Sequence, residues 1–404
     1  MNWRGDRMKR FMILGASILQ LPAIRKAKEM GLEVVAVDRD EHAVGFACAD
    51  IPLVISTLDI PRVVDAAKEY RISGAMTLAS DMPMRTIAAL VKELGIPGID
   101  EQTAIRATNK AEMRRCLKEH SVPIPAFFIA RNYEEYLEAV QRLGSAAIVK
   151  PADNSGSRGV FLIRDAHDNK QVEMGFLHSK AYSRSGDIVV EEYMSGHEVS
   201  VETLSMRGDV HILQITDKLT TGAPHFVEMG HSQPSCLSAE SITKVKKVAA
   251  DAVIAVGIRN GPSHTEIMVT NDGPKIVELG ARLGGDCITT HLVPLSTGVD
   301  MVECCIRIAL GEEADFTPRF AMGSAIRYFP SHAGALTAVE GLDMARAVDG
   351  VRQVSIVKYE GDTLSDVSSS TDRIGFVIAQ AETVSNAVSI CHRAMEKVRI
   401  RIGA

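Results

Sequence analysis

Residues 263–286 read SHTEIMVTNDGPKIVELGARLGGD, and they place two carboxylates, Glu266 and Glu278, twelve residues apart at corresponding ends of two apolar runs. Between the runs, Asn271-Asp272-Gly273-Pro274 supplies the residue types that close tight turns. The pattern predicts a β-hairpin over 263–269 and 275–278 whose register sets the two acids side by side on one face. Adjacent uncompensated carboxylates repel, a cation usually repairs that, and hard oxygen ligands suit Mg2+. Arg282 follows four residues after Glu278, then Gly284, Gly285 and Asp286. Taken alone, 276–286 reads equally as a surface turn closed by a Glu278–Arg282 ion pair, so the rest of the chain decides.

Upstream, residues 11–15 form a short apolar run ending in a Gly-Ala-Ser turn. A helix-period segment over 18–30 follows, and then a second apolar run over 33–38. Further alternation (51–55, a helix over 61–70, 74–78, a helix over 83–94) predicts a parallel, doubly wound sheet across about the first 100 residues. A dinucleotide-binding turn needs three glycines in G-x-G-x-x-G. Here only Gly15 is present, with Ser17 and Gln20 at the other two positions, although Asp38 ends the second strand as in NAD-binding folds. An NAD-dependent oxidoreductase is therefore the weakest of three functional readings.

From Pro123-Ile-Pro125 onward the texture changes to strand-length runs joined by turns, with helices over 133–143, 239–257 and 298–310. An α+β region of mostly antiparallel character is expected, closed by strands near 324–329, 351–358 and 375–381 and a helix over 383–398. The 404 residues carry a net charge of −6, which favours neither nucleic acid nor an anionic membrane surface as partner. Apolar stretches stop well short of the roughly 20 residues a membrane helix needs. The first ten residues lack the apolar core of a secretory leader. Seven cysteines, an odd number with no CxxC pair, point to free thiols and a reducing, cytoplasmic home; Cys304 and Cys305 sit in a helical apolar pattern and are expected buried.

Two further stretches carry chemistry. In IVKPADNSGSRGV (148–160), Lys150 ends a strand and a loop of Ser155, Gly156, Ser157, Arg158 and Gly159 follows. A lysine beside small residues that expose backbone N–H groups suits phosphate. In IVVEEYMSGHEVSVE (188–202), an apolar strand delivers Glu191, Glu192, Tyr193 and Met194, then a Gly turn and Glu198. Such a hinge can hydrogen-bond a purine with its backbone while a nearby carboxylate takes ribose hydroxyls.

The order Lys110, Lys150, small-residue loop, EEYM hinge, Glu198, Glu266, Glu278 and Arg282 resembles the ATP-grasp superfamily. Within it the chain is most similar to the carboxylate–amine ligases that include bacterial L-amino acid ligases, alongside enzymes of the carbamoyl-phosphate synthase and biotin carboxylase type. The resemblance spans nearly the whole chain. It implies a pre-ATP-grasp α/β domain over 1–105 and a lid subdomain with its connecting helix over 106–187. A metal and substrate subdomain over 188–322 and a C-terminal α+β segment over 323–404 would complete the chain. It also implies that Lys110 and Lys150 neutralise ATP phosphates, that the loop 155–159 closes over them, and that Glu191 to Met194 face adenine. Glu198 would bind ribose, Glu266 and Glu278 would hold one or two Mg2+ ions (Mn2+ as a substitute), and Arg282 would stabilise the reacting acyl group. Asp286 and, in a loop over 222–235, His231 are implied near the substrate; Asp286 reads equally as a helix N-cap and His231 as a solvated loop residue. Many relatives carry Asn two residues after the second metal Glu, where this chain has Gly280. That departure keeps a second reading open, a nucleotide-binding module without ligase turnover. The expected substrates are a small carboxylate and an amine, with a homodimer as a further expectation.

Overall fold

The computed structural model describes residues 8–403 apart from Ser155 and Ser157, so the expectations for those two serines fall outside the described residues. Near the N-terminus four strands form a parallel sheet in the order Ile51–Val54, Glu33–Asp38, Arg10–Leu14, Gly74–Met76. Because successive side chains alternate across a strand, the two continuous apolar runs at its centre feed two different cores. Met12, Leu14, Val35 and Val37 pack with Val63, Ala67, Ile87 and Leu90 of the helices Ile60–Tyr70 and Met84–Leu94. Phe11, Ile13, Val34 and Ala36 pack with Ala23, Ile24 and Ala27 of the helix Leu21–Glu29 and with Cys305 and Ile306 of the helix Met301–Ala309. A helix from far down the chain thus seals this sheet, and its two thiols are buried as expected.

The first βα turn is filled from within. The Gln20 side chain accepts from the Ser17 amide at 3.2 Å and donates to the Leu78 carbonyl at 2.6 Å, while the Asp38 carboxylate accepts from the Ala16 amide at 2.7 Å. Asp38, which gave the turn its dinucleotide flavour, and Gln20, which stands where the motif needs glycine, are both spent on holding the turn itself.

A second, antiparallel sheet has the order Phe127–Ala130, Ile188–Glu192, Ala147–Pro151, Phe161–Ile163. The helices Tyr133–Leu143 and Asn169–Tyr182 pack on it around Tyr136, Val140 and Val172. The second of these helices escapes pattern reading because its buried face is Val172, Gly175 and Ser179, of which only one is a large apolar residue. Its start was legible, since Asp168 caps the amides of Lys170 and Gln171.

The largest sheet has eight antiparallel strands in the order Gly273–Gly280, Gly261–Thr270, His197–Met206, Asp209–Thr220, Glu228–Gln233, Gly323–Phe329, Gly375–Ala381, Val351–Ile356. The hairpin that carries Glu266 and Glu278 is therefore an edge, and strands from the C-terminal segment continue the same sheet. The sequence pattern places 222–235 in a loop, but Glu228–Gln233 is a strand held on both sides, by Asp209–Thr220 and by Gly323–Phe329. Its sequence, EMGHSQ, offers no apolar alternation, because the buried positions are filled by Gly230, His231, Ser232 and Gln233. The helix Ala239–Val256 covers the sheet through Val245, Ala249, Ala252 and Val256. No helix among the described residues is long and apolar enough to cross a membrane.

Candidate active site

The hairpin forms with the register the spacing predicts: His264 lies opposite Gly280, Thr265 opposite Leu279, and Glu266 opposite Glu278. Directly beyond that pair the register slips so that Ile267 faces Ile276, leaving Val277 as an extra residue. Such a bulge re-aims neighbouring side chains. Glu266, Glu278 and Val277 line a cleft between the hairpin and the smaller antiparallel sheet, together with Lys110, Lys150, Arg158, Glu191 to Met194 and Glu198. Of the loop residues, Gly156 is exposed and Gly159 is buried, its carbonyl accepting from Ser179 Oγ at 2.7 Å.

Each acid in the cleft has a definite cation. Glu278 Oε1 accepts from Lys110 Nζ at 2.6 Å, and the same ammonium donates to the Asn154 carbonyl at 2.7 Å. The buried Glu191 carboxylate is shared between Lys150 Nζ at 2.7 Å and Arg114, whose Nε lies 2.7 Å away. Burial alone would push the Glu191 carboxyl up, but the two cations outweigh it and hold it at about 2. Lys150 moves the other way, since burial lowers its ammonium more than Glu191 raises it. Arg114 also donates to the Val277 carbonyl at 2.7 Å, so it braces the bulge beside Glu278. It lies one helical turn from Lys110 on the helix Lys110–Glu119, an i,i+4 spacing the sequence displays but does not explain. The Glu192 carboxylate turns away to Lys275 Nζ at 2.5 Å. What the hinge presents to the cleft beyond these paired acids is its backbone and the side chains of Tyr193 and Met194.

Lys218 was not anticipated. It occupies the strand Asp209–Thr220 and meets three carboxylates: Glu198 at 2.6 Å, Glu266 at 3.0 Å and Glu228 at 3.6 Å. Burial opposes its charge, yet these acids raise its pKa well above the ordinary lysine value. Its signal was the alternation Asp217-Lys218-Leu219, which puts a lysine on the same face as Thr216 and Gln214. Behind Glu266 lies a buried His264–Glu202 pair. His264 Nδ1 contacts Glu202 Oε1 at 2.8 Å and His264 Nε2 lies 3.5 Å from Glu266 Oε1. Gly284 leaves room for it, because a Cβ there would stand 2.7 Å from His264 Nδ1.

The partner of Arg282 is Asp81, not Glu278. The guanidinium makes a two-point pair, Nε to Oδ1 at 2.9 Å and Nη2 to Oδ2 at 3.2 Å. This pair accounts for Gly280, since a Cβ at that position would lie 2.7 Å from Asp81 Oδ1 and 3.2 Å from Arg282 Cζ. Asp81 belongs to the turn after the strand Gly74–Met76, at the carboxyl end of a parallel sheet, where open α/β sheets gather functional groups. That position was the available signal.

Asp286 is not a helix cap. Its carboxylate is clamped by Arg373 at 2.7 and 2.8 Å and lies 3.4 Å from His231 Nε2. Both Asp286 and Cys287 adopt left-handed backbone, with φ of 51° and 61°, a conformation that is costly for side-chain-bearing residues and is held here by the clamp. Arg373 also stacks 3.7 Å from the centre of the Tyr328 ring. His231 is buried, with Nδ1 lacking a hydrogen-bond partner, so the solvated-loop alternative does not hold.

Comparison with known proteins agrees with this architecture. Residues 143–290 match the ATP-grasp domain family, and residues 327–403 match the L-amino acid ligase C-terminal domain 2 family. An uncharacterized protein of Sinorhizobium fredii is 30% identical over 333 residues, covering 82% of this chain and 68% of that protein. The L-arginine-specific L-amino acid ligase of Bacillus subtilis is 25% identical over 69% of this chain and 68% of its own length. The crystal structure of L-amino acid ligase from Bacillus licheniformis superposes with a TM-score of 0.86 at 22% identity, covering 99% of this chain and all of that one. The chain belongs to the ATP-grasp superfamily, in the group that carries the L-amino acid ligase C-terminal domain.

Proposed function

We propose that the protein is an ADP-forming carboxylate–amine ligase that joins a small carboxylic acid to an amine, in the manner its L-amino acid ligase relatives are named for. The observation that carries this reading is the register of Glu266 against Glu278 within a cleft framed by Lys110 and Lys150. ATP-grasp enzymes use ATP and Mg2+. The two acids suit that ion, being hard oxygen donors that already gather positive charge, Glu278 from Lys110 and Glu266 from Lys218 with His264 beside it. When bound there, Mg2+ supplies positive charge to the transferring phosphate oxygens.

The chain's own residues do the positioning. Lys110 and Lys150 offer point charges to the phosphates, the hinge at Tyr193 and Met194 offers backbone and a flat apolar surface to adenine, and Glu198 accepts from ribose hydroxyls. One carboxylate oxygen of the substrate attacks the γ-phosphorus, the bond to the β-phosphate oxygen breaks, and ADP leaves. The amine then attacks the acyl carbon, phosphate departs carrying the former carboxylate oxygen, and one proton is released. Such acyl phosphates hydrolyse readily, so the loop over 155–159 must exclude water at that stage. Arg282, held in place by Asp81, contributes charge to the acyl group in this reading. No nucleophilic Ser or Cys is required, because phosphoryl transfer depends on positioning and cations.

In this reading residues 1–105 support the substrate side, 106–187 form the lid and its connecting helix, 188–322 hold metal and substrate, and 323–404 complete the cavity around Asp286. The protein acts on small molecules in a reducing, cytoplasmic setting and pairs as a homodimer. The test is ADP release from Mg-ATP across a panel of amino acids, requiring both a carboxylate and an amine. With an 18O-labelled carboxylate, one labelled oxygen is expected in the released phosphate. ADP that forms without label transfer, or no ADP across the panel, removes the ligase reading.

A further inference from the structure

We propose that His197, Asp217 and Cys236 form a three-ligand site for a zinc-class divalent ion on the reverse of the strands that line the nucleotide cleft. One imidazole nitrogen, one carboxylate oxygen and the thiol sulfur all lie within 4.8 Å of one another. In tetrahedral sites with ligand bonds of about 2.0–2.3 Å the donors stand roughly 3.3–3.8 Å apart, so a closure of about 1 Å completes the set.

The placement follows from strand geometry. Successive side chains on a strand point to opposite faces. Glu198 and Lys218 meet on the cleft face at 2.6 Å, and the residues just before them, His197 and Asp217, meet on the other face at 2.9 Å. Cys236 is brought in by the turn that follows the strand Glu228–Gln233. That turn is tied to the Asp217 strand by the Ser235 amide, 3.0 Å from the Ile215 carbonyl, and it runs into a helix capped by Ser238.

The surroundings resemble the outer support that metal ligands need. Ser235 Oγ donates to Asp217 Oδ1 at 2.5 Å and the Cys236 amide donates to Oδ2 at 2.8 Å, fixing the carboxylate while lone pairs remain. Cys236 is exposed and the His197 side chain is 41% exposed, which leaves an entry path and a fourth position for water. Metal binding displaces the Cys236 thiol proton to solvent. Thiolate and carboxylate then neutralise the dication. Sulfur and imidazole select zinc or cobalt over Mg2+, which distinguishes this site from the hard pair Glu266 and Glu278. Nothing in the proposal depends on the ligase reading.

The full chain, stripped with a chelator and freed of it by gel filtration, is titrated with Co2+ as a spectroscopic probe. One equivalent is expected to give a thiolate-to-cobalt charge-transfer band that Zn2+ abolishes by displacement. Cys236→Ser and His197→Gln should each lose the band and bind Zn2+ at least about tenfold more weakly, with unchanged melting of the metal-free protein. Asp217 is left intact, since it also holds the turn. A band that survives Cys236→Ser, or a parent protein that gives no band and retains no zinc, overturns the proposal.

Discussion

Asp81 and Arg282 join the N-terminal parallel sheet to the hairpin that carries Glu278, through two hydrogen bonds of 2.9 and 3.2 Å between a carboxylate and a guanidinium. The pair is mostly shielded, with side-chain exposures of 15% and 16%. Two-point pairing fixes the orientation of the guanidinium plane as well as its position. Burial works against the Arg282 charge, and Asp81 more than restores it. On the ligase reading this advance placement matters, because a freely rotating arginine would have to be ordered at each turnover to meet charge that develops only during reaction.

Gly280 is the residue through which this pair can be tested. Gly280→Ala should destabilise the protein by about 1–3 kcal/mol, since the new methyl overlaps the Asp81 carboxylate and forces the pair apart. In an Asp81→Ala background the same change should cost clearly less. Urea midpoints for the four proteins measure the coupling. Equal costs in both backgrounds would show that Gly280 is needed for something other than the ion pair.

Glu191 should govern acid stability. Its carboxyl, ordinarily near 4.5, sits at about 2 in the folded protein despite burial, because Arg114 and Lys150 hold it ionised. A depressed acid contributes stability that is complete above the unfolded value and is lost as pH falls through the folded one. Unfolding by urea is therefore expected to become easier between about pH 4.5 and pH 2, and Glu191→Gln should flatten that dependence. Arg114→Met should cost roughly 3–5 kcal/mol at pH 7, as it removes one partner of a buried pair and frees the Val277 carbonyl. A parent protein with no pH dependence in that window would show that Glu191 is not ionised.

Much of this arrangement was legible in sequence, and the omissions have a common cause. Glu266 and Glu278 could be paired because a hairpin converts sequence spacing into register, and the apolar runs of the first sheet announced themselves. Asp81 and Arg373 could not be assigned, since each meets its partner across 201 and 87 residues that only tertiary folding closes, and Lys218 meets Glu266 across 48. The strand Glu228–Gln233 was hidden for a related reason: its buried side chains are polar and find partners inside, as Gln233 does with Thr216 and Ser296. Hydrophobic periodicity is silent about such elements. Gly280 was visible, but its meaning lay in Asp81.

Lys218 should behave as a stand-in for a divalent cation. Lys218→Met leaves Glu198, Glu228 and Glu266 without their shared ammonium, so mutual repulsion lowers stability in the absence of metal. On the ligase reading, Mg2+ then gains more by binding, and the rise in melting temperature on adding Mg2+ should be larger in the variant than in the parent. Calorimetric melts with and without Mg2+ decide it. A smaller rise in the variant would mean that Lys218 helps to build the metal site.

Asp286 should orient the site without acting as a base. Burial would lift its carboxyl, but Arg373 first and His231 next hold it well below the ordinary carboxylate range. A carboxylate so depressed is ionised throughout the working pH range and has little affinity for a proton taken from an ammonium group. Asp286→Asn should therefore leave the pH dependence of kcat/KM between about pH 5 and 9 unchanged in shape. Its cost should fall on stability, because Arg373 is left buried with a lost charge partner and the left-handed turn at 286–287 loses its clamp. Arg373→Ala added to Asp286→Asn should cost less than the sum of the two single changes, since the pair fails as a unit. If instead an ionisation vanishes from the pH profile of the Asn variant while its melting temperature holds, Asp286 does move a proton, and the clamp must open during turnover.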